Sequence, residues 1–220
     1  MGAILHHFNK VVQMQQFSIK LSTLKGLVIL SAKKDIRYYL QSIKLEFNSK
    51  FTRCIATNGH VLGINQENQE NEGAGSVLVP REIIDNIKLS KRELDYVAIF
   101  TQISETKWSI KYMGNEVIFS PLDGKFPDYS RVVNQVKTSG EPAFYDFDYF
   151  IDFSKVVNTI GAKSLNLHYN GNSGGLITCS NPDFIGVIMP IKQGLGSIGL
   201  VVYSQFYNPL IEAPQCQTVS

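Results

Sequence analysis

Cysteine is scarce in this chain, with three in 220 residues, at positions 54, 179 and 216. They stand at long spacings, with no Cys-x-x-Cys pair and no histidine cluster beside them, which excludes a disulfide framework and a structural zinc site. Cys54 and Cys179 alternate with apolar residues inside strand-like runs and read as small buried hydrophobes. No apolar run approaches the roughly 18 residues that a membrane helix needs. The opening MGAILHHFNKVVQ has neither a basic region ahead of its apolar patch nor a small-residue cleavage site. Membrane insertion and export are therefore not expected, and the expected compartment is the cytoplasm. Charge of one sign is missing too. With 21 Lys and Arg against 19 Asp and Glu, any nucleic-acid binding has to come from where the cations lie, not from their total. There is no P-loop, and no Ser, Cys or carboxylate stands at triad spacing from His60, so neither catalysis nor a metal or cofactor is expected.

What is present is the composition of a folded domain, 44% hydrophobic and 18% charged, laid out in a recurring order. Residues 21–33, LSTLKGLVILSAK, carry Leu21, Leu24 and Leu27 or Val28 at helical spacing, with Ser22 or Thr23 as N-cap. Strands alternating at period two follow over Tyr38 to Phe47, Phe51 to Asn58 and His60 to Gln66, and the polar loop ENQENEGAGS ends the round. The order restarts at Val77 to Pro80, where the proline suits the first turn of a helix over REIIDNIKLSK. The strands LDYVAIFTQI, KWSIKYM and EVIFSPL come next, the last two joined at Gly114 and Asn115. A third round begins near Ala143, with DYFIDFSKVVNTI as helix and SLNLHYN, GGLITCS and FIGVIMPIK as strands. The pattern is an α+β chain of three βαβββ-like units, each burying one helix stripe on a sheet face and leaving an edge strand in need of a partner.

Three segments stand out chemically. The strand FTRCIATNGH (Phe51 to His60) ends in a Thr-Asn-Gly-His turn in which Gly59 supplies a positive φ. The others are SPLDGKFPDYSRVV (Ser120 to Val133) and GVIMPIK (Gly186 to Lys192). Taken singly, His60 reads as a satisfied turn residue and Phe126 and Tyr129 as core aromatics; only their joint occurrence points to a surface site.

Read with DIRYYLQS (Asp35 to Ser42), VLVPREIID (Val77 to Asp85) and LDGKFPDYSRVV (Leu122 to Val133), these segments resemble the bacterial DNA sliding clamps, the β subunits of DNA polymerase III. From Phe17 to about Val133 the likeness is to the family's middle domain. From about Ala143 to Lys192 it is to the second half of the last one. The resemblance implies a clamp fold with helices on one face of antiparallel sheets, a complete domain over 1–137, a half domain over 138–192 and a C-terminal extension over 193–220. It implies a non-catalytic processivity factor that encircles duplex DNA as a homo-oligomeric ring, without reading its sequence, and docks a DNA polymerase and a clamp loader. Family rings hold twelve such units, so closure takes four chains of three, with dimers and trimers left open. The implied peptide pocket is lined by Leu40, Thr57, Gly59, His60, Leu62, Pro127, Tyr129, Arg131, Val132, Val187, Met189, Pro190 and Ile191, with Asp146 and Tyr149 bordering it. Apolar walls with few polar groups suit a short linear peptide, and methionine adapts to several partners. The family's Thr-Asp-Gly-His-Arg turn has Asn58 and Val61 here, so the rim loses both charges.

DNA contact is expected from cations that neutralise phosphates without reading bases. The candidates are Lys25, Lys33, Lys34 and Arg37 around the first helix, Arg81, Lys88, Lys91 and Arg92 around the second, and Lys155 and Lys163 around the third. Tyr38 and Tyr39 join them by the family's DNA-touching loop. Two other readings stay open: an adaptor or decoy that uses the pocket without encircling DNA, and an enzyme built on His60, His168 and Asp128. The tail from Gln193 to Ser220 reads as a strand covering an exposed edge or joining a neighbour.

Overall fold

Strand β1 (Gln16–Lys20) passes directly into helix α1 (Leu21–Leu27) at the start of a computed structural model that describes residues 15–191. Alone, seven residues make too short a helix to persist. This one is held by complete burial of Leu21, Leu24 and Leu27, worth about 2 kcal/mol each. Its free amino end is closed from outside, because the Glu67 carboxylate accepts from Lys20 N at 3.0 Å and from Thr23 Oγ1 at 2.5 Å. The expected helix over 21–33 stops early. A 3₁₀ turn over Val28–Leu30 follows, and Ser31 Oγ donates back to Val28 O at 2.8 Å, the kind of local side-chain bond that competes with helix propagation.

Strands β2 (Ser42–Asn48), β3 (Phe51–Thr57) and β4 (Val61–Asn68) complete the first unit. The second unit is β5 (Gly75–Pro80), α2 (Arg81–Asp85), β6 (Val97–Ser104), β7 (Lys107–Tyr112) and β8 (Asn115–Phe119). A short helix α3 (Tyr129–Gln135) precedes the third unit, which is α4 (Phe147–Thr159), β9 (Leu165–His168), β10 (Gly175–Cys179) and β11 (Phe184–Ile188).

Two differences from the sequence pattern bear on the site. Tyr38–Leu40, expected to open a strand, is a 3₁₀ turn; Asp35 Oδ1 accepts from Arg37 N, and Ser42 Oγ donates to Tyr39 O, so the chain curls before it extends. The strand β1 was hidden ahead of the first helix, while among the described residues the third unit has no strand ahead of α4. Cys54 is buried and Cys179 half-buried, as small core residues; Cys216 and the tail beyond residue 191 lie outside the described residues.

All strand pairs are antiparallel and form two sheets, β1-β6-β7-β8 and β5-β2-β3-β4-β11-β10-β9. The first two units exchange their leading strands, β1 joining the second unit's sheet and β5 the first's. The third unit extends the longer sheet edge to edge through β4 and β11. Helices α1 and α4 pack side by side over the core, and Phe17 joins the two sheets by stacking on Phe47 at 4.3 Å and Phe100 at 4.9 Å. On the other face of the longer sheet, Ile55, Leu62, Ile64 and Val187 form a second cluster, covered by Phe126 and Tyr129 from the 120–136 segment. Among the described residues no helix is long and apolar enough to cross a membrane.

Candidate functional site

The β4–β11 seam carries a cleft of about 80 Å³ lined by Thr57, Gly59, His60, Val61, Leu62, Pro127, Tyr129, Val132, Val187 and Met189. Three stretches far apart in the chain meet there: the 57–62 turn, the 127–132 segment at the head of α3, and the end of β11.

The turn is closed by its own polar atoms. Asn58 Oδ1 accepts from His60 N at 2.8 Å and Val61 N at 3.0 Å. Thr57 Oγ1 accepts from Gly59 N at 3.0 Å and donates to Val61 O at 2.6 Å. Gly59 has φ 94°, which suits glycine. An acceptor oxygen is all the turn asks of residue 58, so asparagine serves where the related pattern has an acid. Beside it, the Arg37 guanidinium lies about where a Gly59 side chain would go, 3.1 Å from the position a Cβ would take, and it also pairs with Asp35 at 2.8 Å. Met189 N donates to His60 O at 2.9 Å, tying the end of β11 to the turn, and the His60 ring stacks on Tyr149 at 6.0 Å and 15°.

Tyr129 forms one wall and is held by a charged cluster on β2 and β3. Its hydroxyl donates to Glu46 Oε2 at 2.5 Å and accepts from Arg53 Nη1 at 3.0 Å, while Lys44 Nζ lies 2.7 Å from Glu46 Oε1 and 5.8 Å from the Tyr129 ring centroid. Burial, then the Glu46 bond, pushes the Tyr129 hydroxyl above its ordinary pKa. Burial pulls Glu46 upward as well, but the bonds from Lys44 and Tyr129 outweigh it and hold the carboxyl below its ordinary range.

Of the other residues expected at the pocket, Leu40 is buried beneath the surface and Arg131 points out from α3. Asp146 caps α4, accepting from Asp148 N at 2.9 Å. Pro190 and Ile191 run past Met189, with Ile191 N donating to Phe144 O at 2.8 Å. Val61, Glu46, Arg53 and Lys44 were not expected. The last three had a readable signal: Asn48 pairs with Phe51 across a tight hairpin, which sets Glu46 opposite Arg53.

The cations divide into two sets. Lys25 Nζ donates to Ile84 O at 2.8 Å and caps the end of α2, and its pKa is lowered by burial. Arg81 Nη1 donates to Val28 O at 2.6 Å and Ser31 O at 2.8 Å, and its Nε pairs with Asp85 at 2.9 Å. Both are inter-helix ties, and α1 presents no other cation. Lys33 and Lys34 stand exposed on the 33–38 loop with Arg37 and Tyr38, while Tyr39 packs under the loop. Lys88, Lys91 and Arg92 are exposed around the 3₁₀ turn at 91–95, Lys155 pairs with Asp152 on α4, and Lys163 is exposed beyond it.

The residues of the enzymatic reading are engaged elsewhere: Asp128 caps α3 and His168 bonds Thr178. Among the described residues no group of three or more His, Cys, Asp or Glu could hold a metal ion.

The family model for the DNA polymerase III beta subunit, central domain, matches residues 7–128, more than half of the chain. The chain is 30% identical to the beta sliding clamp of Vibrio cholerae over 128 residues, covering 54% of this chain and 34% of the relative. It is 30% identical to that of Proteus mirabilis over 176 residues, covering 76% of this chain and 47% of the relative. The chain thus spans less than half of the length of the curated relatives it matches, from 28% to 47%. A Pseudomonas aeruginosa DNA polymerase sliding clamp crystallised with a ligand shares the fold at TM-score 0.62 and 20% identity, over 81% of this chain and 66% of that one.

Proposed function

The chain belongs to the DNA polymerase III β-subunit family, and from that premise we propose that it is a non-catalytic sliding clamp that encircles duplex DNA as a homo-oligomeric ring and docks a DNA polymerase by a short linear peptide in the β4–β11 cleft. A clamp loader is a second partner, and the cytoplasm is the protein's place of work. No cofactor is involved. One observation supports this reading above the others: the 57–62 turn, Pro127–Val132 and Val187–Met189, drawn from a stretch of more than 100 residues of chain, converge on an apolar cleft whose tyrosine wall is anchored by partly buried polar partners. Such a concave surface suits an extended peptide with apolar side chains. Closure takes four chains if each contributes three units to a ring of twelve.

The reading is tested by retention on circular against linearised duplex DNA, together with binding of a labelled leucine-rich peptide. Encirclement predicts loss of retention when the circle is cut. Val132→Asp, at an exposed lining position, should weaken the peptide at least about tenfold, or 1.4 kcal/mol. Equal retention on both DNAs would sink the ring.

A second reading, the non-encircling adaptor, draws on one specific observation: Lys25 and Arg81 are committed to backbone carbonyls, which leaves the first helix with no free cation to face a phosphate. Peptide binding with no DNA retention would select it.

A further inference from the structure

The outward side of the β4–β11 seam continues past the cleft. Along β11 and its two ends the side chains that alternate outward are Asp183, Ile185, Val187 and Met189. The last two line the cleft, and the first two line a second, larger groove of about 400 Å³. On β4 the partners keep step. Leu62, opposite Val187, floors the cleft, and Ile64, opposite Ile185, floors the groove. Helix α3 walls both, with Tyr129 shared, Val132 on the cleft, and Ser130, Val133 and Asn134 on the groove. Successive floor pairs are two residues apart on each strand, about 7 Å. Side chains on one face of an extended peptide recur at the same distance. A peptide lying along β11 would therefore set alternate side chains over both floors.

The groove's polar groups differ from those of the cleft. Ser130 and Asn134, one turn apart on α3, stand exposed along one wall. Arg53 is engaged, its Nη2 donating to Gln66 Oε1 at 2.7 Å and its Nη1 to the Tyr129 hydroxyl at 3.0 Å. Asp183, where the chain enters β11, is exposed and joins no ion pair among the described residues. Its carbonyl accepts from Gln66 N at 3.0 Å, so its backbone is fixed to the sheet. The charge left open on this groove is negative.

We propose that the groove is the second half of one peptide track. The partner segment that fills the cleft runs on along β11, lays an apolar side chain on Ile64 and Ile185, and sets a lysine or arginine at Asp183. The inference deepens the docking reading and rests on it. Continuity and charge select this occupant. The two floors belong to one strand pair and share a wall, so a chain seated in the cleft meets the groove as it leaves. An extended segment brings unpaired backbone N–H and C=O groups, which Ser130 and Asn134 can satisfy. An open carboxylate beside an engaged arginine favours a basic residue over an acidic one. Partner choice then depends on the peptide's flank as well as on the residues in the cleft.

The test titrates the full chain with the labelled leucine-rich peptide and with versions lengthened, at one end or the other, by four residues that include an isoleucine and a lysine. One lengthened version should bind at least about tenfold tighter than the short peptide. Asp183→Lys, at an exposed position, should melt as wild type does and bind the short peptide unchanged. It should lose about threefold on the lysine version, and a version with glutamate in place of that lysine should reverse the preference. No gain from either extension would overturn the proposal, as would an Asp183→Lys effect of the same sign on the lysine and glutamate versions. Val132→Asp separates this from the reading beneath it. If it weakens the short peptide while extension gains nothing, the groove falls and the cleft stands; if no peptide binds wild type, both fall.

Discussion

Gly63 and Gly186 face each other across the β4–β11 pair, and neither has room for a side chain. A Cβ on Gly63 would lie 2.4 Å from Leu30 Cδ1, and one on Gly186 the same distance from Phe153 Cε1. The two units therefore join where the sheet is thinnest. The 3₁₀ turn after α1 and α4 each lower a large apolar side chain onto one glycine of the pair.

Adding a methyl group at this seam should overpack it. Gly186→Ala is expected to cost about 1–3 kcal/mol, seen as a lower denaturant midpoint at unchanged slope. A midpoint equal to wild type would mean that Phe153 yields freely and that the seam is not close-packed.

Tyr129→Phe removes the hydroxyl that joins Glu46 to Arg53. Losing a hydrogen bond to a partly buried carboxylate should cost about 1–3 kcal/mol. It should also weaken peptide binding, since those two bonds hold in place the ring that forms a wall of the cleft. Glu46 is held below its ordinary range in the folded chain, so its contribution is full above the ordinary glutamate range and is lost as pH falls. Wild type should therefore lose more stability than Glu46→Gln on acidification through that range, which parallel denaturant titrations would measure.

Asp35 is lowered from 3.8 to about 2, first by the Arg37 side-chain bond and then by the Arg37 backbone N–H. A depressed acid stabilises its loop above its ordinary pKa, and that effect fades as pH falls through about 2. Carboxyl carbon NMR should place the Asp35 titration near that value in wild type and higher, but still below 3.8, in Arg37→Ala, which removes the side-chain bond and keeps the backbone N–H. An unchanged midpoint in the variant would dissociate the loop's shape from this pair.

The two sets of cations should separate cleanly. Lys33→Ala and Lys34→Ala, on the exposed loop, should leave melting unchanged and each lower the salt dependence of duplex binding by about 0.9 in log–log slope if it meets a phosphate. Lys25→Ala and Arg81→Ala should lower the melting temperature, because each strands backbone carbonyls at a helix end. Loop variants with an unaltered slope would move the DNA contact elsewhere.

Much of the site was legible before any fold. The alternation of β3 and β4, the Asn58–Gly59 turn and the Met189–Pro190 end could be read from residue types, because period, turn chemistry and capping act over a few residues. The same locality explains the errors. Val28 and Ile29 continue the apolar stripe of α1, yet the Ser31 back-bond and the reach of Arg81 from the second unit end the helix. The Tyr38–Leu40 turn follows from an Asp35 side chain that a strand period does not register.

From its sequence alone, this protein's residues determined that strands and helices would alternate in three rounds and which side chains each would bury, while the grouping of TNGH, DGKFPDY and MPIK into one site came from the resemblance to the clamp family. Only the tertiary structure decided that β4 would take β11 as its neighbour, that Lys25 and Arg81 would tie helices together, and that Glu46 and Arg53 would hold Tyr129 in the wall. The reason is physical: a period of two tells each residue which face of a sheet it occupies, but not which strand lies beside it. That choice is made by shape, at places such as Gly63 and Gly186 where two helices must fit over one seam.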